Sequence, residues 1–243
     1  MKLILSAILI LLSASTIGQT SRHYFSFSVS NNGQLGEIAD EYYFSGGDDY
    51  GPNNDVSYYK QNELKWNLAY QYLNNKSILL GIQYGHQKRT DEYVLLNTPN
   101  ANGTKSQTIH NLSLSALYQY SFDRFSLAIG PSIPLFIFDE YSDDLLITDT
   151  NKVTESNYSL DLGLAYGINL KTSLLFFATK HLFFSTTIEF GFLHAELGGE
   201  ADYSVHETTS TSSQNTYHST YSSPFTKNFF TKPELHLGIG YKF

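Results

Sequence analysis

The sequence Pro-Glu-Leu-His-Leu-Gly-Ile-Gly-Tyr-Lys-Phe, residues 233–243, alternates between two kinds of side chain up to its last residue. The odd-numbered positions from Leu235 to Phe243 are all apolar or aromatic, whereas the even-numbered positions carry His, Gly, Gly and Lys. This period of two predicts a β-strand with one apolar face. Chain ends are usually polar and frayed, so the terminal Phe243 requires an apolar environment.

The same alternation recurs in seven further stretches. They are Arg22–Ser30, Asn62–Leu73, Ser77–His86, Ile109–Phe122, 125–138, Asn157–Leu170 and His181–Leu193. Two connections are tight turns, Asn74–Lys76 and Asp123–Arg124, whereas 31–61, 87–108, 139–156 and about 194–232 are long and polar. Residues 171–180 are apolar where a turn is due, so they extend the sixth strand or form a short helical plug, and the strand count is eight or, less simply, ten.

The two faces of these strands differ in a way that selects a membrane barrel. One face is almost entirely Leu, Ile, Phe and Tyr, and the other is mainly Ser, Gly, Asn and Gln. A soluble periplasmic or secreted barrel, which remains an alternative, seldom has loops longer than about a dozen residues. Even strand numbers with short turns at one end and long loops at the other are typical of outer-membrane barrels. We predict an all-β, antiparallel, up-and-down transmembrane β-barrel of eight strands, with long extracellular loops and short periplasmic turns.

The ending Gly-Ile-Gly-Tyr-Lys-Phe resembles the C-terminal signal of outer-membrane β-barrel proteins of Gram-negative bacteria. Residues 20–243 as a whole resemble small barrels of this class, including OmpA-type and PorT-like eight-stranded proteins. The resemblance implies a location in the cell outer membrane, among lipid and lipopolysaccharide. It also implies that the barrel-assembly machinery reads Gly238, Tyr241 and Phe243 during biogenesis. We expect a monomer.

The N-terminus has the three-part layout of a secretory signal peptide. Lys2 precedes an apolar run from Leu3 to Ala14, which is too short for a transmembrane helix of about 20 residues. We therefore expect a signal peptide at residues 1–18 and a barrel domain at 19–243. The chain has no cysteine, which excludes a lipoprotein anchor, disulfides and thiolate sites. Its formal net charge of −8 argues against nucleic acid as a partner.

Catalytic and metal-binding patterns are weak in this sequence. Lipid A deacylases carry His-x-Ser on a strand, and no histidine here has serine two positions on. His194, His206 and His218 recur every 12 residues beside several glutamates, a spacing that matches no metal-binding helix or strand. The acidic stretch 139–156 lacks the central glycine and alternating acids of a calcium loop. We predict no catalytic, cofactor or metal site and a non-enzymatic surface role in binding, adhesion or assembly. A lipid-modifying enzyme and a small-solute channel remain the alternatives.

Four ionisable residues have the inward parity of the predicted strands: Lys65, Asp161, Glu189 and His236. An unpaired charge inside a barrel costs several kcal/mol, so we predict that Lys65 lies within about 4–6 Å of Glu189 or Asp161, near the outer mouth of a closed lumen. The group has two interpretations. It is a structural brace, or it has a proton-linked or substrate-binding role.

Overall fold

The computed structural model describes residues 22–30, 56–74, 77–96, 98, 100–160, 163–198, 200–209, 214–222 and 225–243. Twelve strands occupy these residues: β1 (His23–Ser30), β2 (Val56–Leu73), β3 (Ile78–Leu95), β4 (Ala101–Phe122), β5 (Phe125–Asp149), β6 (Lys152–Leu160), β7 (Gly163–Phe177), β8 (Leu182–Leu197), β9 (Glu200–Thr209), β10 (Gln214–Ser222), β11 (Phe225–Phe230) and β12 (Glu234–Lys242). The predicted signal peptide lies outside the described residues. Within them, no helix is long and apolar enough to cross a membrane.

Eight of the strands close into an antiparallel ring. Strands that are neighbours in the chain pair from β1 to β5, after which β5 pairs with β7, β7 with β8 and β8 with β12. The ring closes because β12 also pairs with β1, from Tyr24 opposite Lys242 to Ser30 opposite His236. The predicted all-β antiparallel barrel with eight strands around its wall is confirmed.

The other four strands lengthen strands of the ring. β6 and β7 both run antiparallel to β5, so β6 leads into β7 after a break of two residues. β8 leads into β9 in the same way, because β9 pairs antiparallel with β6 and β8 with β7. β10, β11 and β12 all run antiparallel to the line of β8 and β9. The twelve strands are therefore eight long ones.

Most of the long connections predicted from the sequence are strands in the structure. The interval 87–108 holds the end of β3 and the start of β4, 139–156 holds the β5–β6 hairpin, and 194–232 holds β9, β10 and β11. Within 31–61, β2 already begins at Val56, and residues 31–55 lie outside the described part. These predictions were wrong because a strand that leaves the lipid no longer needs an apolar outer face. The alternation on which they rested ends there although the strand continues.

The prediction of one continuous sixth strand, Asn157–Leu170, is also wrong. The stretch contains the end of β6 and the start of β7, and the residues that point inward are even-numbered in the first and odd-numbered in the second. Leu160 is buried with 3% of its surface exposed, whereas Leu164 is 42% exposed. In one continuous strand both would lie on the same face, so the break at 161–162 reverses the side-chain parity. The ambiguous segment 171–180 completes β7, which ends at Phe177, and supplies most of the turn before β8.

The outer surface of the ring is apolar at membrane depth. Large apolar side chains such as Leu114, Ile168, Phe184 and Leu237 are all more than 40% exposed. An apolar surface that continues round a barrel is stable in lipid rather than in water. Ring closure satisfies the backbone hydrogen bonds within the wall, as hydrocarbon requires. The chain is therefore a transmembrane β-barrel.

Two apolar layers lie inside the ring, and a third buried cluster, of Tyr93, Leu95, Ala101 and Leu145, lies in the hairpins formed by β3, β4 and β5. The lower layer comprises Tyr24, Leu79, Leu117, Ala128, Leu175 and Phe183. The upper layer comprises Ile109, Phe136, Phe138, Tyr141, Leu160, Ala165, Leu193, Ala195, Leu197 and Ala201. The lower layer lies at the end with the short turns, where the ammonium of Lys242 stands 5.6 Å from the ring centre of Tyr24. Polar and charged side chains fill the space between the layers.

Candidate functional site

Five ionisable side chains meet inside the barrel between the two apolar layers. They come from four strands: Lys65 of β2, Lys171 of β7, Glu189 of β8, and Glu234 and His236 of β12. None is more than 7% exposed to solvent. We refer to these five residues as the lumen cluster.

The register of the strands brings the charges of the lumen cluster together. Glu189 lies directly opposite Glu234 on β12 and directly opposite Lys171 on β7. Two facing carboxylates repel each other when both are ionised, so they require a cation on each side. Lys65 Nζ lies 2.5 Å from Glu234 Oε1, and Lys171 Nζ lies 3.5 Å from Glu189 Oε2. Each carboxylate therefore has its own lysine.

His236 stands between the two ion pairs. Its Nε2 lies 3.5 Å from Glu234 Oε1 and 4.0 Å from Glu189 Oε2. The side-chain amide of Asn67 donates to His236 Nδ1 over 3.2 Å. When Asn67 donates to Nδ1, the ring is neutral and its proton is on Nε2, towards the carboxylates. The lumen cluster then holds two positive and two negative charges.

Neutral side chains connect the ion pairs to the rest of the wall. The hydroxyl of Ser132 and the amide of Asn169 both donate to Glu189. Lys171 donates to Gln83 Oε1 over 2.7 Å. A buried charge is stable only when it is paired and hydrogen-bonded. This network supplies from several strands the contacts that water would supply outside.

The lumen cluster borders a small cavity. The cavity has a volume of about 20 Å³ and is lined by hydroxyl and amide side chains, with Lys171 and His236 on one side and Leu175 and Phe183 of the lower layer on the other. This volume holds about one water molecule. The arrangement can hold the strands together and relay a proton among its own groups, but the cavity is too small for a substrate.

Three of the four residues predicted to point inward, Lys65, Glu189 and His236, belong to the lumen cluster, and Asp161 lies outside the described residues. The ion-pair partner of Lys65 is Glu234, which sequence analysis missed. The parity that assigned His236 to the interior also assigns Glu234, two residues earlier, so the inward position of Glu234 could have been predicted. Lys171 was missed because segment 171–180 had no assigned strand. The cluster lies below the upper apolar layer rather than at the mouth.

A second charged group fixes the hairpins beyond the membrane. Lys105 of β4 lies directly opposite Asp91 of β3 and Asp143 of β5, and its Nζ is 3.8 Å from Asp143 Oδ2. Tyr93 donates to the same carboxylate over 2.7 Å. Burial, together with the charge of Asp143, raises the pKa of Asp144. Residues 139–156, which were predicted to be an acidic loop, therefore place the carboxylate of Asp143 inside, next to Lys105.

The histidines of the candidate metal site are spread over three strands. His194 lies on β8, 3.1 Å from Glu196 Oε1, whereas His206 and His218 lie on β9 and β10. Among the described residues, no three side chains of His, Cys, Asp or Glu are placed to share a metal ion.

The C-terminal residues have distinct environments. Gly238 faces inward, where an added Cβ would lie 2.7 Å from the carbonyl oxygen of Phe27, so only glycine fits. Tyr241 faces outward and stacks on His181, with ring centres 5.4 Å apart. Phe243 packs edge-on against Tyr241, and its backbone N–H donates to the carbonyl of His23. The terminus is therefore bonded into the wall.

No protein-family model and no curated protein matches the sequence. Several solved structures are similar to the chain, among them the following three. The outer membrane protease OmpT from Escherichia coli is 10% identical with a TM-score of 0.47, over 92% of this chain and 94% of that one. A major outer membrane protein from Thermus thermophilus is 14% identical with a TM-score of 0.43, over 90% and 99%. Ail, the attachment invasion locus protein of Yersinia pestis, is 13% identical with a TM-score of 0.35, over 92% and 97%.

The architecture of the barrel also indicates where in the cell the protein is located. A closed barrel satisfies its own backbone, presents apolar side chains outward over the membrane-spanning part of its strands, and keeps polar groups inside. These are the properties of bacterial outer-membrane barrels. The chain is an integral protein of the cell outer membrane.

Replacing Lys65 by Met should destabilise the barrel by about 3–5 kcal/mol, because it leaves Glu234 buried without its lysine. Urea unfolding of the refolded protein, followed by the fluorescence of Trp66, measures this loss. The double variant Lys65→Met/Glu234→Gln should recover part of it.

Lys60→Met is the matched control on the same strand. Lys60 also forms an ion pair, with Glu92, but its side chain is 54% exposed, so its loss should cost at most about 1 kcal/mol. Equal losses of unfolding free energy in Lys65→Met and Lys60→Met would contradict the interpretation of the lumen cluster as a structural brace.

Proposed function

We propose that the chain is a non-enzymatic surface protein whose barrel anchors and displays the long outer hairpins for binding, adhesion or assembly. The observation that carries the proposal is the length of the strands. β4 has 22 residues and β5 has 25, whereas a transmembrane strand needs only about 9–11. About half of β4 and of β5 therefore lies beyond the lipid, where the two strands form a stiff platform.

The filled lumen supports an anchoring role over transport. A small-solute channel requires an open polar path, and the buried apolar side chains of the two layers argue against one in the described lumen. Between the layers, the charges of the lumen cluster are paired with each other. We assign the lumen cluster the role of a structural brace, since an eight-stranded barrel is just wide enough for its own side chains.

The expected surroundings of such a protein follow from its surface. The apolar belt contacts outer-membrane lipid and lipopolysaccharide, and the net charge of −8 disfavours nucleic acid. Ring closure within one chain makes a monomer sufficient. Gly238, Tyr241 and Phe243 form the signal that the barrel-assembly machinery would read, with the two aromatic rings outside and the glycine inside.

The alternative of a lipid-modifying enzyme rests on one group of residues. On the outer wall, His194 Nε2 lies 3.1 Å from Glu196 Oε1, and Tyr166 donates to the same oxygen over 3.2 Å. A histidine beside a carboxylate can act as a general base.

Incubation of the purified, folded barrel with labelled lipopolysaccharide separates the two functions. The proposal predicts no release of acyl chains. Release that His194→Gln abolishes and His181→Gln retains would show that the protein is an enzyme. His181 is a fair control because it also contacts an aromatic ring, Tyr241, on the opposite rim.

Replacing Phe243 by Asp should reduce the amount of folded protein in the outer membrane, because the change places a charge beside Tyr241 at the lipid boundary. The measurement is the fraction of heat-modifiable barrel in isolated membranes. Phe243→Tyr should assemble normally, and Lys242→Asp should have the smaller effect, since Lys242 faces the lumen. Normal assembly of Phe243→Asp would rule out the terminus as a signal.

A further inference from the structure

A row of ring side chains crosses the outer wall near the level where the apolar belt ends. Trp66 of β2 lies directly opposite His86 of β3, which lies directly opposite His110 of β4. Tyr84 and Lys88 precede and follow His86 on the same face of β3. We refer to Trp66, Tyr84, His86, Lys88 and His110 as the outer-rim patch.

The rings of the outer-rim patch fix one another. The ring of His86 lies 5.1 Å from that of His110 and 5.5 Å from that of Trp66, measured between centres. The hydroxyl of Tyr84 and His110 Nδ1 are 2.7 Å apart. When Tyr84 donates to this nitrogen, the ring proton of His110 is on Nε2, where it can be donated to a ligand. The patch therefore offers an oriented N–H group.

The depth of the patch indicates what lies against it. The outward residues of β3 change from Ile78, Leu80 and Ile82 to His86 and the exposed Lys88 over 11 residues. A transmembrane strand has about 9–11 residues. The ammonium of Lys88 therefore lies at the height of lipid headgroups.

Lys88 gives the outer-rim patch its positive charge. Lys88 lies opposite Leu64 on β2 and Thr108 on β4, neither of which carries a charge. The exposed Asp139 belongs to β5, two strands from Lys88, and Glu92, four residues further along β3, forms an ion pair with Lys60. An ammonium and two imidazoles side by side can donate several hydrogen bonds to a phosphate group, and the bond from Lys88 is charge-assisted.

We infer that the outer-rim patch binds a phosphate group of a membrane lipid headgroup, which in the outer leaflet is that of lipopolysaccharide. Lys88 and the two histidines hold the phosphate, while Trp66 and Tyr84 pack against the adjoining sugar and acyl region. The inference rests on the proposed function only for the orientation of the barrel, with its hairpins outside.

The chain contains one tryptophan, Trp66, so its intrinsic fluorescence reports binding at the patch without a label. The folded protein in a phosphate-free, uncharged detergent is titrated with a bis-phosphorylated lipid A, with the same lipid after dephosphorylation, and with inorganic phosphate. We expect a saturable change in Trp66 emission with the phosphorylated lipid alone. An equal response to the dephosphorylated lipid would overturn the inference, because only apolar contact would remain. A full response to inorganic phosphate would also overturn it, in favour of a free-anion site.

The triple variant His86→Gln/Lys88→Gln/His110→Gln should weaken the response to phosphorylated lipid about tenfold, since charge-assisted bonds are lost. The control His23→Gln/His181→Gln removes two histidines that contact tyrosines at the opposite rim and should leave the response unchanged. Lys88→Gln alone alters only an exposed side chain, so it tests the site if the triple variant folds poorly. An unchanged midpoint in Lys88→Gln and in a folded triple variant would contradict the inference. Failure of this test would leave the acyl-release result, and with it the proposed function, unaffected.

Discussion

Backbone hydrogen bonding at membrane depth is the constraint on which the whole structure depends. Lipid offers no partner for an amide or a carbonyl, so a sheet in lipid must close on itself. Closure here is the pairing of β1 with β12, which joins the first described residues to the last. The alternating C-terminus is required by that pairing, because its inner face must be narrow at Gly238 and Gly240 while its outer face meets lipid.

Closure with eight strands then determines the interior. The lumen is just wide enough for side chains, so any ionisable residue that points inward must find its counter-charge from a neighbouring strand. Glu189 and Glu234 face each other, and lysines from β7 and β2 neutralise them from either side. The same rule operates beyond the membrane, where Lys105 is buried beside Asp143. A barrel held in this way is a rigid support, which is consistent with a role carried by its outer hairpins and outer wall.

The membrane-spanning strands could be predicted from sequence because lipid imposes an apolar residue at every second position. Where the strands leave the lipid, that requirement ends, so residues 87–108 were predicted to be loop although β3 and β4 continue through them. Residues 157–170 were predicted to be one strand because no pattern in the sequence marks the break after Leu160, where the side-chain parity reverses.

The lumen cluster could be predicted only in part. The strand parity correctly predicted that Lys65, Glu189 and His236 point inward. The same parity applies to Glu234. The choice of ion-pair partner depends on the relative register of β2, β8 and β12, which are distant in the chain. Sequence parity assigns a face but not a height, so Lys65 could not be matched to Glu234 in advance.

Cross-linking of β1 to β12 tests ring closure most directly. The chain has no cysteine, so Phe27→Cys/Ile239→Cys introduces the only pair, at positions directly opposite each other. The account predicts an intramolecular disulfide on oxidation in the membrane, seen as a shift in the migration of the unfolded chain that reductant reverses. Phe27→Cys/Leu235→Cys, offset by about 13 Å along β12, should form none. Absence of the bond in the first variant, or disulfide-linked dimers in its place, would contradict a barrel closed within one chain.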